Sequence, residues 1–241
     1  MDSKSQTNAS LEIPQAPHNS LSLLLASSIH EVKNNFGKLV FVMNEIIASL
    51  PDDDHSIHLQ DKVSNEIRNI SNQLSQVLIL YKKNEIGYQP NIEEINVNQL
   101  LREVRSRHLA CAVDKLQIGI ECEIDLIAFL DDTFILNVLD TFIYNALQAN
   151  ASHILLSAQQ SDNNCIQICI EDDGPGLPDY ILENLTNIDN NTSPVSHSGF
   201  GLGLFFAQQI LHLHENNGDR GYLEVTNGSR LGGAVVRLMI P

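Results

Sequence analysis

From Leu25 the apolar residues recur at alternating spacings of four and three: Leu25, Ile29, Val32, Phe36, Leu39, Met43, Ile46 and Leu50. Such a rhythm puts one narrow apolar stripe on a helix and predicts a coiled-coil-like seam. Pro51-Asp52-Asp53-Asp54 interrupts it, and an aspartate there can cap the next helix. A second seam follows at Val63, Ile67, Ile70, Leu74, Val77 and Tyr81, ended by Gly87 and Pro90. Two such helices make an antiparallel hairpin whose core is thin. Two hairpins from two chains would make a four-helix bundle, so the pattern predicts a homodimer.

Beyond Pro90 the pattern changes. Residues 98–108 read as a helix with Leu100, Leu101 and Val104 on its apolar face. Ile118–Ile124 alternates like a strand, and Asp131 or Asp132 can cap a long helix running to about Asn150. Ile154–Ala158 and Ile166–Glu171 read as strands. A Gly/Pro stretch and a polar loop come next, then a helix from about Leu202 to Leu213 and closing strands at Leu223–Thr226 and Ala234–Ile240. Helices mixed with hairpin-linked strands predict a helix layer on a mixed sheet. The expected fold class is therefore α+β. Residues 1–18 form a polar tail, 19–88 the helical hairpin, and 89–241 the sheet domain.

Charge narrows the function. Asp plus Glu number 30 against 14 Lys plus Arg, a formal net charge of −16. That argues against nucleic acid or an anionic membrane surface as partner and suits docking to a basic patch on another protein. No run of apolar residues is long enough to span a bilayer, and no leader-like segment opens the chain, so a cytoplasmic protein is expected. The four cysteines form no CxxC pair and read as reduced, buried thiols. The polar tail is too short for a sensor, so a separate sensor protein is expected.

Three segments carry candidate chemistry. In His30-Glu31-Val32-Lys33-Asn34-Asn35, His30 lies beside the seam. Imidazole is a nucleophile at neutral pH, Glu31 can accept a proton or fix the ring's tautomer, and Asn34 can orient a water. A surface histidine beside a glutamate is ordinarily only a solvated pair. In Asp172-Asp173-Gly174-Pro175-Gly176, at a strand end, glycines let backbone approach a ligand and a carboxylate can accept from an exocyclic amine such as adenine's. A tight acidic turn is the plainer explanation. In Gly199-Phe200-Gly201-Leu202-Gly203-Leu204, backbone N–H groups ahead of a helix can hold phosphate oxygens, or the segment is a flexible loop packed closely against a neighbouring helix.

Together, in this order, the three segments resemble the histidine kinases of two-component signalling. His30-Glu31-x-x-Asn34 looks like their H-box, Asp172-x-Gly174-x-Gly176 their G1 box, and Gly199-x-Gly201-Leu-Gly203-Leu204 their G2 box. Asn145-Ala146 looks like the N-box, whose asparagine ligates Mg²⁺ in that family. The resemblance covers roughly residues 21–241. It implies a dimeric helical hairpin followed by a Bergerat-type α/β sandwich that binds ATP and Mg²⁺. It also implies autophosphorylation of His30, transfer to an aspartate of a response-regulator receiver domain, and a phosphatase role for Asn34.

The pattern departs from the family in places. Asn35 stands where proline is frequent, Thr141 where a first N-box asparagine is common, and Gln148 where lysine is frequent. No phenylalanine lies between Leu177 and Ser198, and no Lys or Arg lies from Leu116 through Asp219. Cations for the phosphates would then come from Lys33, Lys38 or Arg220, with His197 assisting. These departures keep a second function open: a histidine phosphotransfer protein whose ATPase-like domain no longer binds ATP.

Overall fold

The computed structural model describes residues 89–109, 116–161, 165–185 and 200–241, together with helical positions scattered between 36 and 79. His30, Glu31, Asn34, Gly199, Lys33, His197 and the turn at Pro51–His55 lie outside the described residues, as does the start of the first seam. The described positions of both predicted hairpin helices are helical.

The elements run β1 (Glu93–Asn96), α1 (Val97–Leu109), β2 (Gln117–Cys122), β3 (Ile127–Leu130), α2 (Asp132–Gln148), β4 (His153–Gln160), β5 (Ile166–Asp172), α3 (Asp179–Leu185), α4 (Phe200–Leu211), β6 (Glu215–Asn216), β7 (Asp219–Arg220), β8 (Tyr222–Asn227) and β9 (Ala234–Ile240). The main sheet has the order β2-β4-β5-β9-β8. Only β2 and β4 pair in parallel; the other neighbours are antiparallel. β1 and β3 form a separate ribbon, as do β6 and β7.

Alternation along the strands builds the layer. Across the sheet Leu156, Ile170, Val236 and Val225 stand in register, and so do Ala158, Ile168, Leu238 and Leu223. Period two puts both rows on one face, where they join the hydrophobic core with α1, α2 and α4. α2 is buried on most of its surface, from Phe134 to Ala146, so it is the central helix of the layer. A helix layer on a mixed sheet is what the sequence pattern predicts.

The ends of α2 are specified by side chains. Asp131 caps its start, accepting from the Phe134 N–H at 2.9 Å. At its end Asn150 is left-handed (φ 63°). Asn150 N–H donates to Leu147 and Ala151 N–H to Ala146, the double bond pattern that closes a helix and turns the chain sharply. This turn delivers the chain into β4. His214, only 2% exposed, locks the opposite end: its Nε2 accepts from the Asp131 N–H at 3.1 Å while Nδ1 faces the Ile210 carbonyl at 3.0 Å. Both bonds suit the neutral ring with the proton on Nδ1.

That arrangement makes stability depend on pH. Burial holds the His214 pKa below its ordinary 6.5, against the raising effects of the Ile210 carbonyl and Asp131. The folded state therefore binds this proton less readily than the unfolded chain. His214 contributes fully above pH 6.5, and stability falls as pH drops below that value, by up to about 1.4 kcal/mol per pH unit. Thermal melts at stepped pH should show this acid-side slope in the native protein and lose its His214 share in His214→Gln.

Several boundaries differ from the sequence expectation. β2 stops at Cys122 rather than Ile124 because the chain turns there, Leu126 N–H bonding to the Glu123 carbonyl. The last helix spans Phe200–Leu211 rather than 202–213, since the segment after Leu211 is drawn into the turn that seats His214. The ribbon strands β1 and β3 and the short helix α3 are absent from the sequence reading. Among the described residues no helix is long and apolar enough to cross a membrane.

Candidate functional site

A cleft opens between α2 and the sheet. Phe142, Asn145, Ala146 and Ala149 form its helix wall; Asp172, Ala234 and Val236 form its sheet wall; Gly176, Leu177 and Leu204 complete it. Its empty space, open mouth included, is about 470 Å³. The lining is mainly apolar, with Asn145 and Asp172 supplying its polar side chains. Of the sequence candidates, Asn145, Asp172, Gly176 and Leu204 meet here directly.

Asp172 ends β5, and its position is heavily determined. Its Oδ1 accepts from Gly174 N–H at 2.8 Å and Ala234 N–H at 3.2 Å. Its carbonyl accepts from Gly233 N–H at 2.9 Å and the Ser229 hydroxyl at 2.7 Å. The β8–β9 loop thus grips the strand end. Arg230 in the same loop bonds Glu171 through Nε and Nη2, at 2.9 and 2.7 Å, and Glu121 through Nη1 at 2.9 Å. Burial raises the Glu171 pKa, but the hydrogen bonds and charge of Arg230 outweigh it and hold this carboxyl below its ordinary range.

Asp173, the next residue, does structural work. It accepts from Ser152 N–H at 2.7 Å and His153 N–H at 2.9 Å, and bonds the Ser152 hydroxyl and His153 Nδ1 as well. Burial pushes its pKa up, but these bonds, His153's foremost, hold the carboxyl well below the usual range. The two adjacent acids divide: Asp172 faces the cleft, while Asp173 fastens the α2–β4 turn that positions Ala149.

The glycines also divide. Gly176 has φ +77°, and a Cβ there would stand 2.7 Å from Asn227 Oδ1. Asn227 bonds both the N–H and the carbonyl of Leu177 at 2.8 Å, so Gly176 lets the loop lie flat against β8. A Cβ on Gly174 would meet Asp172 Oδ1 at 3.0 Å. Gly201 and Gly203 lie inside α4 rather than in a loop before it. Gly203 is a close-packing residue: its Cβ would stand 2.9 Å from Thr141 Cγ2 and 3.6 Å from Asn145 Nδ2. It thereby brings the start of α4 against the turn of α2 that carries Asn145. Gly203→Ala should cost about 1–2 kcal/mol by overpacking. Thr141→Ser, which deletes the obstructing methyl, should recover most of it in the double variant, measured by denaturant unfolding.

Sequence reasoning passes over Gly233. A Cβ there would lie 2.2 Å from Asp172 Oδ1, 2.5 Å from Asp172 O and 2.7 Å from Gly174 N. The signal available was the run Gly232-Gly233 just before the last strand. Of the cations expected to serve the site, Arg220 is paired with Glu215 at 3.0 Å on the β6–β7 ribbon, away from the cleft lining. Lys38 is exposed on its helix.

Sequence and structure comparisons agree with this picture. A family described as "Histidine kinase-, DNA gyrase B-, and HSP90-like ATPase" matches residues 130–241. The chain is 21% identical over 197 residues to the sensor-like histidine kinase SenX3 of Mycobacterium tuberculosis, covering 79% of this chain and 48% of SenX3. It thus spans about half the length of that relative. The catalytic domain of histidine kinase ThkA superposes with a TM-score of 0.52 at 24% identity, over 63% of this chain and 97% of that one. Full-length ShkA in complex with AMPPNP superposes with a TM-score of 0.60 at 17% identity, over 90% of this chain and 45% of ShkA. At these identities the superpositions establish the fold: the sheet domain is an α/β sandwich of the histidine kinase catalytic type.

Proposed function

We propose, on the match of residues 130–241 to the histidine kinase-, DNA gyrase B- and HSP90-like ATPase family, that this chain is the kinase core of a two-component system, using ATP to phosphorylate His30 and passing the phosphoryl group to an aspartate of a response-regulator receiver domain. The observation that carries the reading is the placement of Asp172. Its Oδ1 is occupied by two backbone N–H groups, which aims the carboxylate along the cleft so that Oδ2 can accept from the exocyclic amine of adenine. The apolar walls, Phe142, Ala146, Leu204 and Val236, suit the faces of a purine.

Asn145 stands on the opposite wall. A neutral amide oxygen with phosphate and water ligands beside it is a donor set that Mg²⁺ accepts, so Asn145 fits as the protein's ligand to that ion. When bound, Mg²⁺ would neutralise phosphate charge. The phosphates would run toward the start of α4, where Gly199 and Gly201 would leave the backbone open to them. His30 Nε2 or Nδ1 would attack the γ-phosphorus in line, the bond to the ADP oxygen breaking as the N–P bond forms, with Glu31 taking the imidazole proton. Asn34 would hold the attacking water when the chain acts as phosphatase on its partner.

Dimerisation of a helical hairpin over residues 19–88 is part of the proposal. Leu39 and Ile46 of the first seam, and Ile70 and Val77 of the second, are exposed in the single chain. A second copy burying these stripes in a four-helix bundle accounts for their spacing.

One observation favours the phosphotransfer reading instead: the interval from Leu116 through Asp219 has no Lys or Arg, and Arg220 is engaged by Glu215. Calorimetric titration with ATP and Mg²⁺ separates the two. Saturable binding supports the kinase; no binding, in a chain that still accepts phosphate from a phosphorylated receiver, supports the phosphotransfer protein.

A further inference from the structure

The helical segment before the sheet domain is tied to α2 by a buried polar contact. Gln76 is only 4% exposed. Its Nε2 donates to the Thr141 hydroxyl at 2.8 Å, across 65 positions of chain. The same hydroxyl donates to the Asn137 carbonyl at 2.7 Å, so its proton is committed and an oxygen lone pair is presented to Gln76. Ile79, one turn further along the helix, packs against the sheet domain's core. A buried primary amide is costly without a partner. A leucine at position 76 would serve plain packing, so the amide at this point specifies where the helix sits on α2.

Its location ties it to chemistry. Thr141 is one helical turn from Asn145, and its methyl is the group against which Gly203 packs. Gln76 therefore touches the junction of α2 and α4, where the metal ligand and the glycine-rich helix start meet. In the hairpin read from the sequence, positions 30 and 76 lie equally far on either side of Asp53, the middle of the Pro51–His55 turn. With equal rise along both helices, that sequence reading would put Gln76 level with position 30. A contact at Gln76 thus sets the height at which the ATP cleft meets the hairpin.

We propose that the Gln76–Thr141 hydrogen bond is the docking contact that registers the ATPase domain on the helical hairpin for phosphoryl transfer, making Gln76 a positioning residue. It rests on the kinase reading above. Gln76 does not line the cleft, so it acts on transfer and leaves nucleotide binding alone. Reactions between groups on two domains are steep functions of alignment, and one lost hydrogen bond moves the docked population by about tenfold.

The test uses the full chain with saturating γ-labelled ATP and Mg²⁺, in native protein, Gln76→Leu, Thr141→Val and Thr141→Ser. Gln76→Leu keeps bulk and removes the amide; Thr141→Val keeps shape and removes the hydroxyl, so the bond is cut from either side. The expected result is an autophosphorylation rate about tenfold lower in both, an ATP dissociation constant within about twofold of native, and recovery in Thr141→Ser, which retains the hydroxyl. Unchanged rates in Gln76→Leu and Thr141→Val would overturn the proposal. Faster rates would also overturn it, since the contact would then restrain transfer. Weakened ATP binding in step with the rate would assign Gln76 a purely structural part in the cleft. No label on the native protein would sink the kinase reading itself, a result distinct from label that the variants leave unaltered.

Discussion

Asp172→Asn is expected to weaken ATP binding by about 100-fold, the loss of a charge-assisted hydrogen bond together with the placing of a donor against a donor. The substitution is close to isosteric. The asparagine carbonyl can accept from Gly174 and Ala234 N–H as Oδ1 does now, while its amide replaces the oxygen that faces the cleft. Local structure is thereby preserved and the change falls on the ligand alone. Melting temperature and oligomeric state should match the native protein. Titration with ATP measures the effect, and native-like affinity in the variant would remove Asp172 as the adenine acceptor.

Gly233→Ala is expected to be nearly as damaging to binding, and more damaging to stability. The added methyl would stand within 2.2 Å of Asp172 Oδ1 and 2.5 Å of its carbonyl. Neither can retreat cheaply: the carbonyl is held by Gly233 N–H and Ser229, and the strand by Glu171–Arg230. The strand end or the loop must shift, at about 2–4 kcal/mol, and Asp172 leaves its aim. Gly232→Ala is the control. Gly232 has φ +104° and nothing within 4 Å of its Cβ position, so it carries backbone strain only, about 1–3 kcal/mol. The expected pattern is loss of stability in both but loss of ATP affinity in Gly233→Ala alone, read by denaturant unfolding beside nucleotide titration. Equal affinities would show that the loop does not position Asp172.

The two variants mark where sequence reasoning reaches and where it stops. Asp172 was legible because a carboxylate followed by spaced glycines at a strand end forms a local pattern. Gly233 was not, because its constraint comes from a strand more than fifty positions earlier, and nothing near it in sequence signals that approach. The long strands and α1, α2 and α4 were legible through their periodicity, since each buries one face against the layer. β1 and β3 were not: each is four residues long, too short for a period to declare itself. Gly203 was open to two readings, phosphate approach or a flexible loop lying on a neighbouring helix; it sits inside α4 itself, packed against Thr141. Arg220, expected near the phosphates, is spent on Glu215 across a two-residue ribbon that no sequence pattern announced. Asp173 stands beside Asp172 in the sequence without a role of its own; the start of β4, through Ser152 and His153, is what claims it.

The central claim is that the cleft's ATP phosphorylates His30. Purified protein is incubated with Mg²⁺ and γ-labelled ATP beside His30→Gln, and the label's acid stability is measured. The account predicts acid-labile label on the native chain and none on the variant; equal label on both, or none on a native chain that binds ATP, would contradict it.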